Sequence, residues 1–213
     1  MWPSRQVWDA DEAVRAAEEL GWPVALKHTA GALRHRQDLG AVRLDIADAD
    51  ELRTDVEHMA QAVADLVPAV RADGPPFEVQ HMAGIGVACV VRSTEDHLYG
   101  PVVSFGLAGD ATDLLDDVTF GIPPLTATDV SSMVRSIRAA PRLFGYHGAP
   151  VADVARLEDL VARVSVMADE LPELRRLELY PVLVSDRECS VLTARVRLAD
   201  SDRADALRRA LPQ

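Results

Sequence analysis

The sequence predicts an α+β fold in two lobes. Strand-like and helix-like periodicity alternate along the chain, and several strand-like runs are joined by short glycine-bearing turns that read as hairpins. A chain of 213 residues is long enough for one large domain or two small lobes. The lobes are expected at about 1–100 and 101–213.

Each element follows from its local pattern. "DADEAVRAAEELG" has apolar residues at helical spacing, with Asp9 and Glu12 set for a capping box and Gly21 as the stop. "PVALKH" is a short apolar run that suits a strand covered on both faces. "AGALRHRQDLGA" reads as a loop, "VRLDI" as a strand, and "DADELRTDVEHMAQAVADLV" as a long helix. The cluster "RADGPP" at 71–76 marks a turn. "FEVQHM" and "GVACVVRST" are expected to pair through a glycine-containing turn. "GPVVSFGLAGDATDLLDDVTF" gives a strand, a glycine-rich turn and an acidic stretch. "TATDVSSMVRSIRAA" is helical up to Pro141, and "VADVARLEDLVARVSVMADEL" is a long amphipathic helix. "LRRLELYPVLV" and "SVLTARVRL" read as strands, and "SDRADALRRAL" as a terminal helix.

Composition excludes several function classes. A net charge of −12 argues against a general nucleic-acid binder, which needs a basic face to displace phosphate counterions. No apolar run approaches the roughly 20 residues needed to span a bilayer. The N-terminus lacks the charged-then-apolar layout of a secretory signal. Cys89 and Cys189 have no CxxC partners, so neither a zinc site nor a disulfide framework is expected, and a cytoplasmic location fits.

Among 22 lysines and arginines only one is a lysine, Lys27, at the end of the "PVALKH" run. Read alone, it is better explained by chance in an arginine-rich chain than by function. His35 stands between Arg34 and Arg36 in the loop, either as a solvated side chain or as a nucleophile flanked by cations. "SFGLAGDATDLL" offers backbone N–H groups around Gly106 and Gly109 that can cradle phosphate, but Asp110, Asp113, Asp116 and Asp117 place negative charge nearby.

"GWPVALKHTAGALRHRQDLGAVRLDI" resembles the opening of the ATP-grasp domain of NDP-forming acyl-CoA synthetases (acetate–CoA ligase, ADP-forming type). "VQHM" followed by "GV" is similar to that family's connection between lobes. "YGPVVSFGLAGDATDLLDDVTFGIPPL" resembles its glycine-rich segment, and "LELYPVLV" with "VLTARVRL" its closing metal-site strands. The resemblance covers nearly the whole chain. "HRQDLGAVRLDI", "RSTEDHLYGPVVSFGLAGDAT" and "MVRSIRAAPRLFGY" look most like the actinobacterial branch, in which this domain is fused to a lysine acetyltransferase.

The resemblance implies a two-lobed ATP-grasp fold that binds ATP or ADP. It implies that Lys27 reaches the nucleotide phosphates, since an ammonium on a flexible stem follows phosphates that move. It also implies that backbone groups of Glu78, Val79, Gln80, His81 and Met82 meet the adenine edge, and that Gly106 and Gly109 approach phosphate. His35 stands where some members carry phosphate on histidine. Glu178 is the one remaining candidate Mg²⁺ ligand: Tyr180 and Thr193 stand where the family has an asparagine and an aspartate, so the metal site is expected to be impaired. Gly121 and His147 stand where it often has arginine. The implied partner is a CoA-binding synthetase domain or subunit, with an acetyltransferase domain as a further candidate, and neither nucleic acid nor membrane. Two functions stay open: the nucleotide-handling part of an acyl-CoA synthetase, which needs a CoA-binding segment from elsewhere, or a non-catalytic regulatory module of an acetyltransferase.

Overall fold

The computed structural model describes residues 2–30, 33, 40–66, 74–109 and 114–200. They form two compact units, one spanning Trp2–Ala83 and the other starting at Gly84.

The first unit is a four-stranded antiparallel sheet, β1 (Ser4–Val7), β4 (Phe77–His81), β2 (Val24–His28) and β3 (Val42–Ile46), in the order β1-β4-β2-β3. Helices α1 (Ala10–Leu20) and α2 (Ala49–Leu66) complete it. α1 starts where sequence placed it: the Asp9 carboxylate accepts from Glu12 N at 2.8 Å, and the Glu12 carboxylate accepts from Trp8 N. Gly21, at φ 88°, closes the helix by donating to Ala17 O. Val24, Leu26, Phe77 and Val79 face a core shared with Ala13, Val14 and Ala17 of α1 and Leu52, Val56 and Met59 of α2. Strand alternation therefore turns Lys27, Glu78 and Gln80 to the opposite face of the sheet.

The second unit is an antiparallel sheet in the order β10-β8-β5-β6-β7, with the short β9 (Cys189–Val191) paired to β8. Its strands are β5 (Val87–Asp96), β6 (Gly100–Leu107), β7 (Val118–Gly121), β8 (Leu174–Val184) and β10 (Ala194–Leu198). Helices α3 (Ala127–Ser136) and α4 (Val154–Glu170) bury Val130, Met133, Val134, Leu157, Val161 and Val164 against Val91, Phe105, Leu177 and Leu179 of the sheet. A capping box between Thr126 and Asp129 starts α3. The alternate residues of each strand lie on the other face. One row across that face reads Arg195, Glu178, Arg92, Ser104 and Phe120.

Four expectations change. The units divide at Ala83 and Gly84 rather than near residue 100, because β5 is a central strand of the second sheet, bonded to both β8 and β6. β4 and β5 are not a hairpin: β4 is sandwiched between β1 and β2 in the first sheet. β1 was not anticipated, since four residues after Pro3 carry too short a pattern to register as a strand. "SVLTARVRL" is two short strands, because Leu192 N turns back to Pro181 O before β10 begins. The expected C-terminal helix lies outside the described residues. Among those described, no helix is long and apolar enough to cross a membrane.

Candidate functional site

In the first unit, the register sets Lys27 opposite Glu78, with Gln80 on the diagonal. Lys27 Nζ donates to Gln80 Oε1 at 2.5 Å. Gln80 is 2% exposed, so its amide is fixed by burial and must find partners inside the protein. The result is an ammonium at the end of β2 held toward β4 by a buried amide. Sequence reasoning assigned Gln80 a backbone role and missed its side chain. Strand alternation could have found it, because positions 27, 78 and 80 share a face once β2 and β4 are paired.

The segment Val79–Met82 is held firmly. β4 bonds on both sides as far as His81, whose O accepts from the Trp2 indole at 2.6 Å and whose N donates to Pro3 O. Met82 N donates to Pro23 O at 3.0 Å. The His81 ring stacks near Trp2 and its Nδ1–H donates to Gly21 O at 2.8 Å. His28 is buried against Phe77, and its Nδ1 accepts from Ala30 N at 3.1 Å. Burial lowers the His28 pKa, which keeps the ring neutral and the acceptor intact. His35 and its flanking arginines lie outside the described residues, as do Asp110 and Asp113.

In the second unit Glu178 occupies the centre of the sheet face, its side chain 12% exposed. Oε2 accepts from Arg92 Nε at 2.9 Å and Arg176 Nη2 at 3.3 Å, and Oε1 accepts from Arg195 Nη1 at 3.3 Å. Arg92 and Arg195 are its direct cross-strand partners on either side, and Arg176 lies two residues back along the same strand. Burial alone would raise the Glu178 pKa. The hydrogen bond and charge of Arg92, then Arg195 and Arg176, outweigh it and hold the carboxyl below its ordinary range. None of the three arginines was singled out from sequence, because their convergence depends on which strands become neighbours.

Tyr180 and Thr193 are cross-strand neighbours, Tyr180 N donating to Thr193 O at 3.0 Å. Gly106 lies on the same face as Glu178, and a Cβ there would stand 3.1 Å from Asp117 O. Gly109 takes φ 130° in the turn that follows β6. Asp117 has a structural role: both carboxylate oxygens accept backbone N–H groups, from Arg138 at 2.7 Å and Ala139 at 2.8 Å. Gly121 pairs with Val103 on the core side, where a Cβ would meet Leu125 Cδ2 and Met133 Sδ at 2.7 Å each. A side chain at 121 would therefore enter the helix layer and not join Glu178. His147 is an exposed residue at φ 54° beside Tyr146.

The cysteines form no disulfide, and burial pushes the thiols up to about 12 for Cys89 and about 11 for Cys189, so both stay protonated. Among the described residues no group of three or more His, Cys, Asp or Glu is placed to hold a metal ion.

Lys27 lies on the sheet of the first unit and Glu178 on the sheet of the second, and comparison with known proteins identifies the family to which the chain belongs. The ATP-grasp domain family model matches residues 1–198, and the chain belongs to that family. It is homologous to the beta subunit of ADP-forming acetate–CoA ligase I of Pyrococcus furiosus, at 30% identity over 88% of this chain and 80% of that one. It is 32% identical to acetate–CoA ligase (ADP-forming) I of Archaeoglobus fulgidus over 90% of this chain, but spans only 28% of that longer protein. Among solved structures it is similar to the dinucleotide-forming acetyl-coenzyme A synthetase 1 of Ca. Korarchaeum cryptofilum in complex with coenzyme A, Ca-AMPCP and HgCl+. That match has a TM-score of 0.85 and 29% identity, and covers 93% of this chain and 86% of that one. The same synthetase was solved with coenzyme A and Mg-AMPPCP, its phosphohistidine segment pointing towards the nucleotide-binding site; that match has a TM-score of 0.76 and 27% identity, and covers 93% and 85% of the two chains.

Proposed function

We propose that this chain is the adenine-nucleotide-binding ATP-grasp domain of an ADP-forming acyl-CoA synthetase-like protein, with an impaired Mg²⁺ site and little or no ligase turnover alone. The observation that carries the nucleotide reading is Lys27, held by the buried amide of Gln80 on the sheet face opposite the core. Relatives solved with Ca-AMPCP and Mg-AMPPCP support the ligand class. In this reading Lys27 holds the phosphates, Val79–Met82 meet the adenine edge, and Gly106 and Gly109 let backbone approach phosphate. Bound nucleotide supplies or accepts the phosphoryl group. His35 is the residue that takes it up, a role the phosphohistidine segment of the Korarchaeum relative supports. The partner is a CoA-binding synthetase domain or subunit in the cytoplasm.

The described residues do not fit Mg²⁺. That ion requires several hard oxygen ligands in octahedral geometry. Tyr180 and Thr193 offer hydroxyls in place of an amide and a carboxylate, and both oxygens of Glu178 already accept from guanidinium groups whose charge repels a cation. The same observation favours a second reading, a non-catalytic module that regulates an attached lysine acetyltransferase, in keeping with the wording of "MVRSIRAAPRLFGY".

Thermal unfolding with ADP or ATP tests the primary reading. A ligand that binds the native state at about 100 times its Kd stabilises by about 2.7 kcal/mol. Lys27→Ala is expected to remove most of that shift, read against the variant's own unliganded Tm, which falls because the buried Gln80 amide loses the ammonium. An equal shift in both proteins would return Lys27 to an incidental surface residue.

A further inference from the structure

We propose that the sheet face around Glu178 is a metal-independent phosphate-binding surface, in which Arg92, Arg176 and Arg195 provide the positive charge that a divalent cation would otherwise bring. This deepens the nucleotide reading and rests on it for the identity of the anion.

Three guanidinium groups converge on the one carboxylate of Glu178, so cations outnumber anions among these four side chains. Arg197 stands opposite Arg176 in the register and adds a further cation on the same face. The whole chain carries −12, so a positive surface of this kind does not follow from composition. Glu178 is 12% exposed, while the side chains of Arg92, Arg195 and Arg176 are 31%, 41% and 56% exposed. The anion is therefore sunk into the sheet and the cations rise around it. Glu178 anchors the guanidinium groups, and Arg92, which meets it through Nε, turns only part of its donor fork inward.

Guanidinium groups bind phosphate through paired N–H donors in a planar fork, and fixing the forks beforehand reduces the entropy lost on binding. The hydroxyl-bearing residues Ser104 and Thr94 lie opposite Arg92 and Arg176 on the same face. A pyrophosphate group carries several negative charges and enough acceptor oxygens to meet more than one guanidinium fork. The charge also decides against a metal, because a divalent cation approaching Glu178 meets three like-charged groups first.

The test uses the whole chain and inorganic pyrophosphate in EDTA, followed by calorimetry. Binding is expected without metal, and added Mg²⁺ is expected to weaken it or leave it unchanged, since Mg²⁺ neutralises the ligand. Arg92→Gln is expected to weaken binding about tenfold, the scale of one charge-assisted contact. Arg163→Gln, on α4 and paired with Asp159, is expected to change nothing. If Arg92→Gln does not fold, Arg176→Gln at the more exposed rim serves the same purpose.

Glu178→Gln separates the alternatives by sign. It tightens pyrophosphate binding if the arginines hold the anion, and abolishes Mg²⁺-assisted binding if Glu178 is a metal ligand. Displacement of pyrophosphate by ADP assigns the surface to a nucleotide phosphate chain, and its absence assigns it to a free phosphate ligand; either supports the proposal. Pyrophosphate binding only with Mg²⁺, or equal binding by the Arg92 variant, overturns it. ADP still raising the Tm in that case would leave the nucleotide reading intact.

Discussion

Gln80, buried in the central strand of the first sheet, accepts a 2.5 Å hydrogen bond from the ammonium of Lys27 one strand away. The amide is therefore a positioning group for the cation assigned to phosphate. Gln80→Leu keeps the volume and removes the acceptor. A hydrogen bond to a charged group contributes about 1.5–3 kcal/mol. Nucleotide affinity should fall by about tenfold or more, with Lys27→Ala and the double variant no worse than additive. Titration of the three variants with ADP checks this, and an unchanged affinity in Gln80→Leu removes the positioning role.

Removing the carboxylate at the centre of the second sheet leaves Arg92, Arg176 and Arg195 to repel one another. Glu178→Ala should destabilise by about 1–2 kcal/mol, a figure reduced for the partial exposure of the guanidinium groups. The Glu178 pKa lies below its ordinary 4.5 in the folded state. The unfolded chain therefore binds the proton first as pH falls. The contribution is complete above about pH 4.5 and is lost as pH drops through the folded value. Urea midpoints measured from pH 6 to pH 3 should fall more steeply for the unmodified chain than for Glu178→Gln.

His28 gives a separate acid response at higher pH. Burial depresses its pKa below 6.5, so the unfolded state again takes up the proton first. The stability it protects is present above about pH 6.5 and declines as pH falls through the folded value. Protonation would also cost the hydrogen bond from Ala30 N. His28→Gln should flatten the dependence of Tm on pH just below 6.5, measured by circular dichroism. A slope equal to that of the unmodified chain would place its origin elsewhere.

Gly121→Arg is expected to damage the fold without improving nucleotide affinity. The new Cβ meets Leu125 and Met133 at 2.7 Å, and forcing them aside costs about 1–3 kcal/mol. At this chain length each kcal/mol lowers the Tm by roughly 2–4 °C. A stable variant with tighter ADP binding would show that position 121 does reach the phosphate side.

The elements with strong local signals were legible from sequence. α1 carried its own cap at Asp9 and stop at Gly21, and β8 emerged over the whole of "LRRLELYPVLV". What escaped depended on pairing between distant segments. Nothing near Phe77 says that β4 joins β1 and β2 instead of β5, and nothing near Arg92 says that Glu178 is its neighbour 86 residues later. Lys27 was visible because it is the sole lysine, whereas the role of the Gln80 side chain required the register. Gly121 read as a lost arginine because a one-dimensional match cannot tell which face of a strand a position occupies.

On the proposed function, this domain binds adenine nucleotide through its own cations, without Mg²⁺. Calorimetric titration of the unmodified chain with ADP, once in EDTA and once at saturating Mg²⁺, tests it most directly. Binding is expected in both, with affinities within about threefold, because the Lys27 ammonium meets the phosphates with a charge that does not depend on the metal. Tightening by tenfold or more on adding Mg²⁺, or binding seen only with the metal, would contradict it.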